Sequence, residues 1–378
     1  MLYDIHHSAA ATFEKALEEI IAAVKQKSQQ PLRIVIFGAP HSNGDYLKQR
    51  QQIEQAYREA YPAESRPLVA YVAHAPMDAT LVAEVTYWEQ DIKSIERHQD
   101  YIVIDNNYIL SAGLYSDIEL HTGEQADNIF ARASEILSAE GVSPANIVRQ
   151  WNYIERITDI TPNGQNYQLF NDSRSRFYNS CEWPNGYPAA TGIGTQYGGV
   201  VVVFDVMRNS DKCSHAIDNP LQVSAHAYSQ QVLINPDKAQ HKTTPKFERA
   251  RHITLADGKQ ILHISGTAAI RGEESCDANI EEQTVLTMEN IAKLAERDTL
   301  MSYGVKSVKD MEYRMLRIYL KHQFNLDVVK RWFDDNYPTV PKTFLLADIC
   351  REELLIEIEG IAAENKLQAK INEQKPTL

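Results

Sequence analysis

The chain contains an internal repeat, and this feature constrains its fold more strongly than any other. Residues 109–207 and 262–360 show the same succession of a strand, a helix, a strand, a helix and a terminal strand. The first helix of each stretch carries the same pair of residues, Asn128-Ile129 and Asn290-Ile291. A single match would mean little, but the shared order predicts two related α+β units in one chain.

The rest of the chain divides around these two units. Residues 12–25 and 49–61 have the apolar spacing of helices, whereas residues 32–38 and 68–73 are short apolar strands, so a small α/β segment is predicted at the start. We therefore expect an N-terminal α/β segment, a first unit, a connecting segment, a second unit and a tail, at residues 1–100, 101–208, 209–246, 247–362 and 363–378.

The charge balance limits the partners of the protein. The 378 residues include 38 Lys and Arg against 51 Asp and Glu, a net charge of −13, which argues against a nucleic-acid binder or an anionic-membrane binder. Apolar runs such as residues 200–204 are far shorter than the roughly 20 residues of a membrane-spanning helix. The first residues lack the basic and apolar regions of a secretory signal, so a cytoplasmic protein is expected.

The sequence shows no motif for a metal or a cofactor. The 12 histidines are scattered without HExxH spacing, and the loop at residues 38–44 lacks both the Walker lysine and the dinucleotide-binding glycines. No GxSxG turn is present, and the four cysteines lack CxxC spacing, which favours free thiols. We therefore expect chemistry without a cofactor or a catalytic metal.

Short strings in both units resemble those of known families. The second unit, with Ile264-Ser265-Gly266-Thr267-Ala268 and the ending Glu357-Ile358-Glu359-Gly360, resembles the RidA/YjgF reactive-intermediate deaminases. The order of six strings is similar to that of the chorismatases, and the resemblance covers roughly residues 101–362. These strings are Asn171-Asp172-Ser173-Arg174-Ser175-Arg176-Phe177, Gly192-Ile193-Gly194-Thr195, Gln222-Val223-Ser224-Ala225, Phe247-Glu248-Arg249-Ala250, Ser265-Gly266-Thr267-Ala268 and Ala347-Asp348-Ile349-Cys350-Arg351.

The resemblance implies an α+β fold of two tandem RidA-like units and an activity on chorismate. Chorismatases cleave the enolpyruvyl ether of chorismate to pyruvate and either a dihydroxycyclohexadiene carboxylate or a hydroxybenzoate. Breaking an enol ether under mild conditions needs a proton on the methylene carbon, and therefore a positioned general acid. The resemblance places that acid at Glu357.

The residues around Glu357 suit this role. Side chains alternate along a strand, so Glu357 and Glu359 point to the same face. If that face is buried, desolvation and repulsion between the two carboxylates raise a pKa and keep one glutamic acid protonated near neutral pH. The alternative is a solvated strand face whose glutamates only keep the surface soluble.

A substrate with two carboxylates requires positive charge in its pocket. Arg176 and Arg249 are the best candidates, because each lies in a string that resembles the family and arginine can bind a carboxylate through two N–H groups. Arg174, Lys342 and Arg351 are weaker candidates. For each of these side chains the alternative is an ion pair on the surface.

Four further residues complete the predicted site. Tyr228 can donate a hydrogen bond to a substrate, although a tyrosine is commonly a packing residue. Thr267 and Ala268 end a strand where a ligand can approach the backbone closely. Cys350 occupies a position that the resemblance places in the pocket, with a buried structural thiol as the alternative.

Two other functions remain open from the sequence. A RidA-type deaminase that hydrolyses imines would also use Glu357, but it has an arginine at the position where this chain has Lys342. A duplicated ligand-binding protein without activity is the second alternative, and Glu273, a departure from the family pattern, favours it. The resemblance also implies a small-molecule carboxylate as substrate and a homotrimer. If Arg176 of the first unit and Arg249 ahead of the second both bind carboxylates, the site must lie between the two units.

Overall fold

The N-terminal part of the chain forms an α/β unit, in a computed structural model that describes residues 1–88, 92–229 and 243–364. Its elements are β1 (Leu2–Ser8), α1 (Phe13–Lys25), β2 (Pro31–Phe37), α2 (Asn43–Ala60), β3 (Leu68–Val72), β4 (Ala75–Pro76) and β5 (Leu81–Tyr87). Four strands form a sheet in the order β1-β5-β2-β3, and both helices pack on one face of it. Helix α2 begins earlier than its apolar spacing predicts, because the Ser42 side chain accepts a hydrogen bond from the Asp45 N–H and caps it.

The second part of the chain forms the first predicted unit. Its elements are β6 (Ile95–Arg97), β7 (Tyr101–Ile104), β8 (Tyr108–Ser111), β9 (Leu114–Tyr115), α3 (Thr122–Ala139), β10 (Ile147–Glu155), β11 (Ile160–Thr161), β12 (Gly164–Gln165), α4 (Asn166–Tyr178), β13 (Ala189–Thr195) and β14 (Val200–Met207). The sheet runs β13-β10-β14-β8-β7-β6, with β9 also paired to β14. Helices α3 and α4 cover one face of this sheet through Phe130, Phe170 and Phe177.

The third part of the chain forms the second predicted unit. Its elements are α5 (Ser210–Cys213), β15 (Ser214–Ile217), β16 (Ala250–Thr254), β17 (Gln260–Ala268), β18 (Ile270–Arg271), β19 (Glu274–Ser275), α6 (Ile280–Ala295), α7 (Arg297–Ser302), β20 (Met311–Leu320), α8 (Leu326–Asn336), β21 (Lys342–Leu346) and β22 (Ile356–Glu364). The sheet runs β15-β16-β17-β22-β20-β21-β4, so the N-terminal unit adds one edge strand to it. Helices α6 and α8 cover one face through Ile291, Leu294 and Phe333.

The three units share one topology. Each runs strand, helix, strand, helix, strand, strand, as β1-α1-β2-α2-β3-β5, β8-α3-β10-α4-β13-β14 and β17-α6-β20-α8-β21-β22. In each, the second strand is parallel to the third and antiparallel to the last, which is antiparallel to the first. The predicted α+β class and the repeat of two units are therefore confirmed. The N-terminal α/β segment is a third copy, which the sequence analysis missed because strand pairing repeats there and residue strings do not.

The uncovered faces of the three sheets meet in the middle of the molecule. One apolar cluster there contains Phe37, Tyr153 and Tyr319, each from the second strand of a different unit. Three buried ion pairs also join each unit to another: Arg33 with Asp205, Arg149 with Glu359, and Arg317 with Glu84. Each unit therefore contacts the other two.

Several details bear on the predicted division of the chain. Strand β15 forms within the segment that was predicted to be a connection, and it pairs with β16. Strand β6 precedes the predicted start of the first unit and pairs with β7. Residues 363–364 belong to β22, and the rest of the predicted tail lies outside the described residues. The domain boundaries themselves stay a prediction. Among the described residues, no helix is both long and apolar enough to cross a bilayer.

Candidate active site

A cavity lies where the first unit meets the second. The cavity is partly open to solvent, and its empty space counted together with that open part is about 870 Å³. The first unit contributes the start of α4 and strand β13, and the second contributes β17, β22 and the loop between β21 and β22. Among the predicted site residues, those that line the cavity are Tyr228, Arg249, Ala268, Cys350, Glu357 and the weaker candidate Arg351.

Hydrogen bonds between β13 and β17 fix this junction. The register of β17 against β22 is irregular between Ile264 and Thr267. There the Gly266 N–H donates to the Thr191 hydroxyl oxygen at 2.9 Å, and the Ala190 N–H donates to the Ser265 hydroxyl oxygen at 2.9 Å. The irregular register thus directs backbone groups of the second unit towards the first.

Glu357 lies on β22, opposite Ala268 on one side and Tyr319 on the other. Its carboxyl group packs against Gly266, where a Cβ atom would overlap Oε1. The residue is 5% exposed, and no described residue makes a hydrogen bond to its carboxyl group. Burial, and then repulsion from Glu359, raise the pKa of Glu357 to about 8, so the side chain is protonated at neutral pH.

Glu359 has the opposite environment. Its carboxylate accepts a hydrogen bond from Arg149 Nη2 at 2.5 Å, and it also contacts Arg317, Thr191 and Tyr319. Burial alone would raise the pKa of Glu359, but the two guanidinium groups hold it below its ordinary value. Two glutamates on one strand face therefore differ in charge, which is the arrangement that general acid catalysis requires.

Arg249 supplies positive charge to the cavity without a carboxylate partner among the described residues. The side chain is buried, and its Nη2 atom donates to the Tyr228 hydroxyl oxygen at 2.5 Å and to the Val223 carbonyl at 3.1 Å. Its Nε atom is buried and makes no hydrogen bond within the part of the chain that the structure describes. A buried guanidinium group without a counter-charge is costly, so this cavity favours an anionic ligand.

Arg351 extends the positive wall of the cavity. Its guanidinium carbon lies 5.2 Å from the centre of the Tyr228 ring, which also packs against Arg249 at 5.6 Å. Its Nη1 atom donates to the carbonyl of Glu273 at 3.0 Å. The carboxylate of Glu273 accepts a hydrogen bond from the Ser229 N–H at 2.9 Å, so the departure from the family pattern anchors the segment that carries Tyr228.

Two predicted carboxylate ligands, Arg176 and Lys342, do not line the cavity. Arg176 is exposed and pairs with Asp127 at 2.7 Å on the outer side of α4. The Lys342 ammonium group donates to the Tyr337 carbonyl at 2.9 Å and lies 3.5 Å from an Asp334 oxygen. Arg176 therefore forms the surface ion pair that was its alternative, whereas the Lys342 side chain is only 10% exposed and pairs with Asp334 away from the cavity.

Thr267 and Arg174 are close to the cavity but do not line it. The Thr267 hydroxyl donates to the Ser265 carbonyl at 2.9 Å and is buried inside the second unit. Arg174 is buried two residues before Arg176, on nearly the opposite side of α4, because a helix has 3.6 residues per turn. Its Nη2 atom donates to the Asn171 side-chain oxygen at 2.6 Å, and Asn171 lines the cavity.

Cys350 lines the cavity as a neutral thiol. Burial, and then the nearby Glu357 carboxyl group, raise the pKa of Cys350 to about 12, so the reactive thiolate is absent near neutral pH. Within residues 1–88, 92–229 and 243–364, no group of three or more His, Cys, Asp or Glu side chains is arranged to hold a metal ion.

The sequence analysis missed two sets of residues. The first is the arginines that bind Glu359, and the second is the cavity-lining residues at the start of α4. Arg149 and Arg317 lie inside the buried strands β10 and β20, and a charged residue within an apolar strand is the signal that could have identified them. Tyr167 and Gln168, at the start of α4, line the cavity beside Asn171.

The fold and the cavity define a class of protein: three α+β units in mutual contact, with a buried, positively charged site for a small molecule between two of them. The family model for the N-terminal part of FkbO/Hyg5-like chorismatases matches residues 84–205. A 3-hydroxybenzoate synthase of Streptomyces hygroscopicus is 27% identical over 285 residues, which cover 72% of this chain and 80% of that protein. The chain is similar to chorismatases in part of its sequence and in its fold.

Two further comparisons show the same similarity. A chorismatase of Streptomyces rapamycinicus is 29% identical over 230 residues, covering 58% of this chain and 64% of that protein. A chorismatase crystal structure shares the fold over 95% of this chain and 98% of that one, with a TM-score of 0.71 and 22% sequence identity.

Proposed function

We propose that the protein cleaves the enolpyruvyl ether of chorismate, releasing pyruvate and either a dihydroxycyclohexadiene carboxylate or a hydroxybenzoate, without a cofactor. The observation that carries this proposal is a buried glutamic acid, protonated at neutral pH, in a cavity that also holds Arg249, an arginine with no carboxylate partner among the residues that the structure describes. Two relatives, a chorismatase and a 3-hydroxybenzoate synthase, support the same substrate by the activities for which they are named.

Glu357 is the general acid in this proposal. Its proton goes to the methylene carbon of the enolpyruvyl group, and the electron pair of the double bond forms the new C–H bond. The resulting oxocarbenium ion is captured by water or by an oxygen of the substrate. Capture by water gives a hemiketal that breaks down to pyruvate and the diene diol, whereas the hydroxybenzoate and pyruvate together contain the atoms of chorismate alone.

Arg249 binds one substrate carboxylate in this proposal, and Arg351 is placed to bind the other. Both guanidinium groups pack on the ring of Tyr228. Ala268 and Cys350 shape the cavity beside Glu357, the alanine by its small size and the cysteine as an apolar thiol.

The alternatives from the sequence are less well supported. A RidA-type deaminase would need the cationic group at position 342 to be free for its substrate. The Lys342 ammonium group instead contacts Asp334 and the Tyr337 carbonyl. The second alternative, a ligand-binding protein without activity, would be favoured if the carboxylates of the cavity had no positively charged partner. In this cavity, Arg249 lies close enough to Glu357 to oppose the rise in its pKa.

The test is direct. Purified protein is mixed with chorismate, pyruvate is measured with lactate dehydrogenase, and the second product is identified by NMR. Pyruvate release with stoichiometric formation of a diene diol or a hydroxybenzoate is expected, and the product decides between the two routes. An enamine substrate serves as the control. Its turnover without any chorismate turnover would contradict the proposal.

Two predictions from the sequence remain proposals. The homotrimer can be tested by light scattering. The cytoplasmic location can be tested by fractionation of cells that express the protein.

A further inference from the structure

Three arginines occupy equivalent positions in the three units. Arg33, Arg149 and Arg317 lie on β2, β10 and β20, where they face Thr86, Asp205 and Glu359 on the neighbouring antiparallel strands. Two residues further along β2, β10 and β20 lie Val35, Trp151 and Tyr319. The residues that face them on the neighbouring antiparallel strands are, in the same order, Glu84, Val203 and Glu357. Glu84 is therefore the counterpart of Glu357 in the N-terminal unit.

Glu84 is bound differently from its counterpart. Arg317 donates from Nε to Glu84 Oε1 at 2.9 Å, and its Nη2 atom contacts the second carboxylate oxygen. This bidentate pair joins β5 to β20. Arg317 Nη1 also contacts Glu359, so one guanidinium group bridges Glu84 and Glu359.

The charges of this buried group can be counted. It contains two arginines, Arg149 and Arg317, and three carboxyl groups, Glu84, Glu357 and Glu359, all at most 5% exposed. Glu84 and Glu359 balance these two arginines, so Arg249 on the cavity wall is the buried cation that is left to face Glu357. Glu357 makes no hydrogen bond to an arginine among the described residues, and burial favours its protonated form.

Other groups also face Glu357. Arg249 acts on it from the cavity wall, Arg149 from β10 and Glu359 from β22, while the Cys350 thiol and the Tyr167 hydroxyl are neutral neighbours. Both arginines favour the charged carboxylate. The negative charge that opposes them comes from Glu359. Glu84 is linked to Glu359 through the guanidinium group of Arg317, which both carboxylates share.

We propose that Glu84 is a positioning residue for the reaction: by neutralising Arg317 it leaves the proton on Glu357. This inference rests on the proposed function for its catalytic meaning. It also assigns a role to the N-terminal unit, which contributes no residue to the lining of the cavity.

The test is the variant Glu84→Gln, which keeps the size of the side chain and removes its charge. We expect the rate of pyruvate release to fall on the alkaline side of its pH profile, and we call this fall the high-pH limb. In Glu84→Gln the midpoint of the limb should move to lower pH by about one unit or more, because one negative charge has been removed near Glu357. At pH 8 this shift lowers turnover about fivefold relative to wild type, while turnover at pH 6 changes little. An equal loss at every pH would overturn the proposal, because a purely structural role would produce that result.

The matched control is Asp205→Asn. It breaks another buried ion pair between the N-terminal and first units, the 2.5 Å contact with Arg33, without touching Glu359. Its high-pH limb should stay near the wild-type position. A shift as large as that of Glu84→Gln would contradict the specific role of Glu84.

Two further measurements keep the inference testable. The double variant Glu84→Gln/Arg317→Gln removes one charge of each sign and should return the limb towards its wild-type position, even if the single variant folds poorly. Infrared spectroscopy needs no substrate: the protonated carboxyl band that Glu357→Gln removes at pH 7.5 should also weaken in Glu84→Gln. An unchanged band overturns this inference, whereas a weakened band in a protein that releases no pyruvate overturns the proposed function alone.

Discussion

Glu357 and Glu359 lie two residues apart on the same buried face of β22, and of the two carboxyl groups Glu359 is the one that arginine side chains bind. Alternation along a strand places both side chains on one side. The arginines come from different units, Arg149 from the first and Arg317 from the second. The contrast between one ionised and one protonated glutamate therefore depends on how the units meet.

Replacing Glu357 by glutamine should abolish pyruvate release. Glutamine has the same size but no acidic proton, so we expect turnover to fall by roughly 10²- to 10⁴-fold, the usual contribution of a general acid. The far-UV circular dichroism spectrum and the melting temperature at pH 6 should stay close to those of wild type, because the replaced carboxyl group is neutral there. Wild-type turnover in this variant would remove Glu357 from the mechanism.

The pH profile should show a single loss of activity on the alkaline side. The active form of Glu357 is the protonated one, and its raised pKa is about 8, so kcat/KM should be level below about pH 7 and fall about tenfold per unit well above pH 8. Binding of a dianionic substrate adds negative charge near Glu357, so the limb in kcat should lie higher than the limb in kcat/KM. A midpoint near 4.5, the ordinary value for a glutamic acid, would be inconsistent with the buried acid.

Arg249 and Arg176 should respond differently to the same change. Arg249→Gln removes the unpaired guanidinium group of the cavity, and we expect kcat/KM to fall roughly 10- to 150-fold, the value of a hydrogen bond to a charged group. Arg176→Gln removes an exposed ion pair with Asp127 and should leave both kcat and KM near wild type. Steady-state kinetics of the two variants tests this, and equal losses would refute the assignment.

Gly266 should tolerate no side chain. A Cβ atom at this position would overlap Glu357 Oε1, so Gly266→Ala should displace the acid and lower kcat by at least about tenfold with a smaller effect on the fold. Gly44→Ala is the matched control, because a Cβ there lies 3.8 Å from its nearest neighbour on α2. Turnover close to wild type in Gly266→Ala would show that the acid can move without loss.

Local periodicity in the sequence predicted the repeat of two units and the common face of Glu357 and Glu359, because both features depend on spacing along the chain. It did not predict the pairing of Arg149 with Glu359, which are 210 residues apart and belong to different units. The sequence analysis preferred Arg176 to Arg351 as a carboxylate ligand, whereas in the structure Arg351 lines the cavity and Arg176 does not. This error has a similar cause. Whether an arginine faces a cavity depends on the rotation of its element against its neighbours, and residue type does not determine that rotation.

The presence of three units in one chain has a consequence for symmetry. A ring of three identical subunits must repeat every side chain three times, so an acid at the Glu357 position would appear at each junction. In this protein the corresponding positions hold Glu84, Val203 and Glu357. Fusion into a single polypeptide lets each junction differ, so that one can hold a reactive acid while another holds a counter-ion and the third a simple apolar contact.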